Sequence, residues 1–192
     1  PLWQVLFVLL GAPALYVLIF VMSGVSFVTF SRYAFLAGML TEYIFLGIVL
    51  WFLRQTGKWL ADIGLVMGRW QREALLGLIL GVVLFMLSGI MITIVERFLP
   101  SAISQEPRPL WASMLFGFGL LTAFAPIEEI IWRGYAITFL RQHLNTWVAV
   151  VIASATFGLM HWWGGLALMV ETSIVGVLLS GLYLWRGNLA AN

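Results

Sequence analysis

Six predominantly apolar runs dictate what this chain can become: Leu2–Met22, Tyr33–Leu53, Ala74–Val95, Leu110–Ile127, Trp147–Trp163 and Leu166–Trp185. A helix rising about 1.5 Å per residue needs roughly 20 such residues to cross the hydrocarbon of a bilayer, and each run is near that length. Backbone groups in lipid have no water to bond, so successive runs of this kind fold as helices. Hydrophobic residues make up 62% of the chain and charged ones 9%, with a net charge of +2. No soluble domain of this size hides so much apolar surface, and so slight a charge excess does not fit a nucleic-acid partner. The expected fold is an all-α polytopic bundle of about six spans, a single integral membrane domain over residues 1–192. Cysteine is absent, which excludes a disulfide framework and thiol chemistry. The first residue is Pro1 and no charged segment precedes Leu2–Met22, so that run reads as a span in a chain already missing its start, not as a signal peptide.

The joints fit this division. "SGVSFVTFSR" is polar and contains glycine, "RQTGKWLADIGLVMGRWQRE" is the longest charged connection, "PSAISQEPRP" carries three prolines, and "WWGG" reads as a tight turn. Basic residues retained in the cytoplasm set orientation. Arg54, Lys58, Arg69 and Arg72 place the 54–73 connection inside, and alternation then puts Arg133, Arg141 and Arg186 inside too. Arg32, Arg97 and Arg108 fall outside, so a cytoplasmic N-terminus is expected. Trp51, Trp59, Trp70, Trp111, Trp147 and Trp185 lie near span ends, as an interfacial belt does.

Charge in so apolar a chain needs a reason, and "APIEEIIWRG" (125–134) concentrates it. One reading is structural. Pro126 suits the first turn of a helix, and Glu128 and Glu129 near that end favour its dipole, so a short interfacial helix from Pro126 to about Gln142 needs no chemistry. The other reading is a hairpin: one long helix over Leu110–Gln142, kinked at Pro126, returns through "HLNT" into the 147–163 run. The midpoint of positions 128 and 161 falls within that turn, so Glu128 and His161 sit level with each other, roughly 25 Å from it. Ionisable groups at such depth are costly and usually mark function. Glu129 and Arg133, at i and i+4, form an ion pair along one face that lowers the cost of burying both. Glu128, about 100° round the helix, stays free of that partner, and a carboxylate in a partly dry cavity suits a general base near neutral pH. Phe157 precedes His161 by one turn, where its ring restricts the imidazole. A histidine beside aromatics can also be simply packed.

Glu-Glu-x-x-x-Arg, as "EEIIWR", followed by Phe-x-x-x-His, as "FGLMH", resembles the CPBP family of intramembrane proteases. That family includes the CAAX prenyl endopeptidases and the bacterial Abi-type proteins. The likeness extends to "LLSGLYLWRGNL" (178–189), covering about residues 70–189. It implies peptide-bond hydrolysis in a membrane cavity open to the cytoplasm, in a multi-pass protein of a bacterial plasma membrane. Glu128 would activate a water and His161 would orient it or pass its proton, with Glu129, Arg133 and Phe157 as support and no cofactor. The implied substrate is a peptide or protein tail, bearing a prenylated cysteine if the CAAX branch applies. The family's third motif, a histidine followed four residues later by Asn or Asp, lies on a further helix after "GNL", whereas this chain stops at "RGNLAAN". The chain is therefore read as truncated at both ends, the alternative being a degenerate relative without activity. Asn188 and Asn192 are donors that nothing places in the cavity.

Glu42, mid-span in the second run, and Glu171, in the sixth, are further intramembrane acids. Glu171 falls within about one turn of His161 in depth and could line the same cavity, though both acids also read as carboxyls hydrogen-bonded between helices. Two glutamates and a histidine are legitimate zinc ligands. His-Glu-x-x-His is missing, however, adjacent glutamates on a helix diverge, and Arg133 would repel a cation. No Gly-x-Ser-x-Gly supports a serine mechanism, and Ser154 and Ser173 read as helix-packing serines. Two other functions stay open: a proton-coupled transporter using Glu42, Glu128 and Glu171 as relays, and a non-catalytic membrane scaffold or immunity protein.

Overall fold

A computed structural model describes residues 2–66, 68, 70–102, 110–119 and 124–191, apart from the side chains at 32 and 70. Arg69, Arg108 and Asn192, and the side chains of Arg32 and Trp70, lie outside the described residues. The helices are α1 (Leu2–Ser23), α2 (Phe27–Gln55), α3 (Trp70–Val95) and α4 (Leu110–Gly119). A continuous helix α5 follows, made of an α-helical turn Ala125–Glu128, a π-helical stretch Glu129–Ile137 and a last turn Thr138–Leu140. Then come α6 (Thr146–Met160) and α7 (Gly165–Arg186), with short 3-10 turns at Leu60–Ile63, Trp162–Gly164 and Leu189–Ala191. No strand occurs among the described residues. The all-α bundle is as expected.

The helix ends follow from local chemistry. Ser26 Oγ accepts from the Thr29 amide at 3.3 Å, an N-cap that starts α2 inside the joint expected to be a connection. Asn145 caps α6 through the Trp147 amide at 2.8 Å. Pro126 occupies the first turn of α5, where its missing N–H costs nothing. Among the described residues, four helical segments are long and apolar enough to cross a membrane: Leu2–Ser23, Tyr33–Gln55, Gln71–Val95 and Trp162–Arg186. The other two runs of the expected six appear as shorter apolar helices, Leu110–Gly119 and Thr146–Met160. The second is short because the backbone leaves the helix at His161, φ −96° and ψ 18°. Residues 120–123, the middle of the expected continuous Leu110–Gln142 helix, lie outside the described residues.

The core joins α1, α2, α5 and α6 through buried Val8, Phe45, Val49, Ile131, Trp132 and Val150. Between α6 and α7 the backbones approach closely. A Cβ at Gly158 would collide with Ser173 Oγ and the Met169 carbonyl, and one at Gly176 would meet Ser154 at 3.1 Å. Ser154 and Ser173 are thus packing serines, as expected. α3 stands at the edge, with Leu78, Val82, Phe85 and Met86 exposed.

The two ends of the bundle are built differently. One gathers the start of α1, the end of α2, the Leu60–Ile63 turn and the ends of α5 and α7. Leu189 N–H bonds the Gly64 carbonyl at 2.8 Å, Tyr183 O–H bonds the Ile63 carbonyl at 3.0 Å, and Arg186 grips Glu73 with two bonds of 2.6 and 2.9 Å. At the opposite end the 96–102 connection crosses the turn after α6, joining Ala102 N–H to the Gly164 carbonyl at 2.9 Å. Gly165 makes that turn at φ +82°, where a side chain would be strained and would also strike the Pro100–Ala102 backbone. Arg54, Lys58, Arg72, Arg141 and Arg186 share the first end, as alternation requires. Arg133 does not count with them. It is 1% exposed inside the bundle, a paired core residue and not a loop charge. Trp51, Trp59, Trp111, Trp147 and Trp185 are all exposed.

Candidate active site

The hairpin of α5 and α6 sets the register. The Trp132 and Phe157 rings meet edge to face at 5.6 Å, and these positions share their midpoint with 128 and 161. Glu128 and His161 accordingly line one cavity of about 290 Å³. Tyr16 of α1, Glu42 of α2 and Glu171 of α7 reach the same space, which is otherwise largely walled by apolar groups such as Phe116 and Phe124. Glu128 is the first-turn acid of α5, and His161 is the residue that ends α6. Both are half-buried, open only where the cavity admits them.

Three contacts hold His161. Its Nδ1 lies 3.1 Å from the Phe157 carbonyl oxygen. A carbonyl only accepts, so Nδ1 carries the proton and Nε2 keeps a lone pair. The Phe157 ring stands edge-on to the imidazole with centroids 5.0 Å apart, the restriction expected from its one-turn spacing. The next residue, Trp162, is wedged among Tyr16, Phe20, Phe27 and Phe30 at 5.4 to 6.0 Å. That aromatic cluster fixes the turn and hence the imidazole.

Glu129 and Arg133 pair at 3.1 Å as their spacing predicts, and both are buried. The guanidinium also lies over the Phe157 ring, 4.3 Å from its centroid. Neither Nη atom has hydrogen-bond geometry to a partner among the described residues, so charge attraction and the ring face carry this contact. The π-helical turn on which the pair sits was not foreseen from the sequence, where apolar periodicity does not separate i+4 from i+5 bonding. The described part of this helix opens at Ala125 with Pro126 in its first turn, and residues 120–123 before it lie outside the described residues. Burial of Glu129 and of Ile131–Ile137 against the core shows that it is not a surface element.

Glu171 is 2% exposed and accepts from Ser88 Oγ of α3 at 2.5 Å, so it both lines the cavity and bonds a neighbouring helix. Glu42 is the acid whose position the sequence did not disclose. Its carboxyl group lines the same cavity as that of Glu128. The available signal was an acid in the middle of an apolar run, which marks a residue of interest without saying which way α2 turns it. Asn188 lies at the other end of the bundle, donating to the Val66 carbonyl at 3.0 Å. Among the described residues no three His, Asp or Glu side chains converge as a metal site. A carboxylate beside an imidazole with a free lone pair, in an apolar cavity, has the parts to remove a proton from water and hold the resulting nucleophile.

Residues 108–192 match the family described as type II CAAX prenyl endopeptidase Rce1-like. The match includes both motifs, so the resemblance to the CAAX proteases stands at family level for this part of the chain. That family acts on peptide or protein substrates as a hydrolase. No curated protein and no solved structure matches the chain.

Proposed function

We propose that this chain is an intramembrane endopeptidase in which Glu128 is the general base and His161 its partner. The observation that carries the reading is that these two side chains, from antiparallel helices, share one cavity. Glu128 takes a proton from water, and the oxygen bonds to the substrate carbonyl carbon. The tetrahedral intermediate then expels the amine, which receives its proton back from Glu128. His161 accepts a hydrogen bond from the water at Nε2 and fixes its line of approach. Glu129 and Arg133 hold the turn that carries Glu128, and Phe157 supports both Arg133 and His161. No metal or other cofactor takes part. The substrate is a tail that enters the bundle, with a prenylated cysteine as the CAAX-type candidate.

Glu128→Gln is the decisive variant. With normal assembly it should lower cleavage of a farnesylated CAAX peptide by about 10²–10⁴. Unchanged cleavage overturns the reading, loss of ion-coupled uptake would favour the transporter, and misassembly alone would favour the scaffold.

The cavity's end of the bundle is the one away from the basic connections, so cleavage near the cytoplasmic face requires the N-terminus to lie outside, against the charge count. Because the chain has no cysteine, Trp59→Cys and Phe98→Cys each provide a single label. Phe98→Cys reached only after the membrane is opened places the site toward the cytoplasm. Labelling of Phe98→Cys from outside places it toward the opposite face.

A further inference from the structure

The cavity holds a carboxyl group to which the proposed reaction assigns nothing. Glu42 enters from α2, is 4% exposed, and lines the same largely apolar cavity as Glu128. Two ionised carboxylates can only accept, so they can bond to each other only with a proton between them. Among the described residues Glu42 Oε2 has no hydrogen-bond partner, the Tyr16 hydroxyl is spent on the Ala34 carbonyl at 2.6 Å, and the Ser88 and Thr172 hydroxyls are spent on Glu171 and the Leu168 carbonyl. Arg133 is held by Glu129 and the Phe157 ring. Two like charges in contact inside an apolar cavity do not both persist, and the pair settles as one proton and one negative charge.

We infer that Glu42 is a positioning residue for peptide hydrolysis, sharing a single proton with Glu128 so that the two carboxyls enter the reaction as one monoanion. The inference rests on the reading of Glu128 as general base. The shared proton fixes the Glu128 rotamer from the α2 side, while α5 holds its backbone. When Glu128 removes a proton from water the pair becomes neutral, and returning that proton to the leaving amine restores the monoanion. The other titratable or charged side chains at this site are Tyr16 from α1, Glu129 and Arg133 from α5, His161 from the end of α6 and Glu171 from α7. Loss of the shared proton at high pH leaves two repelling carboxylates and drives Glu128 from its place. Activity should therefore fall on the basic side as well as the acidic one.

The test measures kcat and KM across the neutral range for the full chain in detergent, with the farnesylated CAAX peptide as probe. Glu42→Gln keeps a donor but not the shared proton, so it should lose about tenfold in kcat and lose the basic fall of the wild-type profile. Glu42→Leu removes the bond and should lose about 10- to 100-fold in kcat with little change in KM. A Glu42→Gln enzyme that retains the basic fall overturns the inference, as does a Glu42→Leu enzyme with wild-type kcat. If Glu128→Gln cleaves normally, the underlying reading fails first. If Glu128→Gln is inactive and the Glu42 variants behave as wild type, only the shared proton fails.

Discussion

The two ends of the bundle handle polarity in opposite ways. At the basic end, each polar closure joins segments distant in sequence: the Asn188 amide and the Tyr183 hydroxyl donate to the backbone carbonyls of Val66 and Ile63, and Arg186 pairs with the Glu73 carboxylate. These are closures that hold loops. At the cavity end the polar groups are carboxyls and an imidazole, with Glu42 Oε2 lacking a hydrogen-bond partner among the described residues, and the closures are aromatic, with Trp162 inserted among the rings of α1 and α2. The lesson is that apolar packing can hold one end of a bundle while its few polar groups face a cavity.

That contrast can be broken by experiment. Arg133→Leu should have the largest effect, because it breaks a buried ion pair with Glu129 and removes the cation over the Phe157 ring, at a cost of about 3–5 kcal/mol. Thermal unfolding in detergent should show a sharply lowered midpoint, and a wild-type midpoint would mean that the pair carries no stability. Gly158→Val comes next. Its side chain would push α6 off α7, an overpacking cost of about 1–3 kcal/mol, and cleavage should fall with stability because His161 ends the displaced helix. Asn188→Ala removes a basic-end closure for about 0.5–1.5 kcal/mol and should leave cleavage by the folded fraction unchanged. Impaired catalysis in that variant would show that the ends are not separable. The smallest effect is expected from 1,10-phenanthroline, which should not alter the rate. Inhibition reversed by zinc would move the cavity acids into a ligand role.

Much of the candidate site's geometry was readable in the sequence because an antiparallel hairpin pairs residues by their distance from the turn. Glu128 and His161 share a midpoint in "HLNT", and Trp132 and Phe157 show that the register holds. The Glu129–Arg133 pair followed from spacing alone. What could not be read was rotation. Glu42 lies on a helix whose outer and inner faces are both apolar, so nothing in the pattern tells which way it points. The number of full-length spans was likewise hidden, because hydrophobicity runs on past the Met160 end of α6 into a turn made by Trp162, Trp163 and two glycines. The separation of the cavity from the basic end emerged only once connections were placed, since a charge count assigns sides but not depths.

The size of the cavity limits how a scissile bond can arrive. The cavity beside Glu42, Glu128, His161 and Glu171 is small, about 290 Å³, and largely apolar. In a helix each backbone carbonyl is already bonded to an amide four residues on and is turned along the axis. On the proposed reading, a polypeptide cut there would have to present its carbonyl to the water as an unwound strand, so selectivity should favour sequences that fray easily, such as a flexible terminus or a stretch broken by glycine or proline.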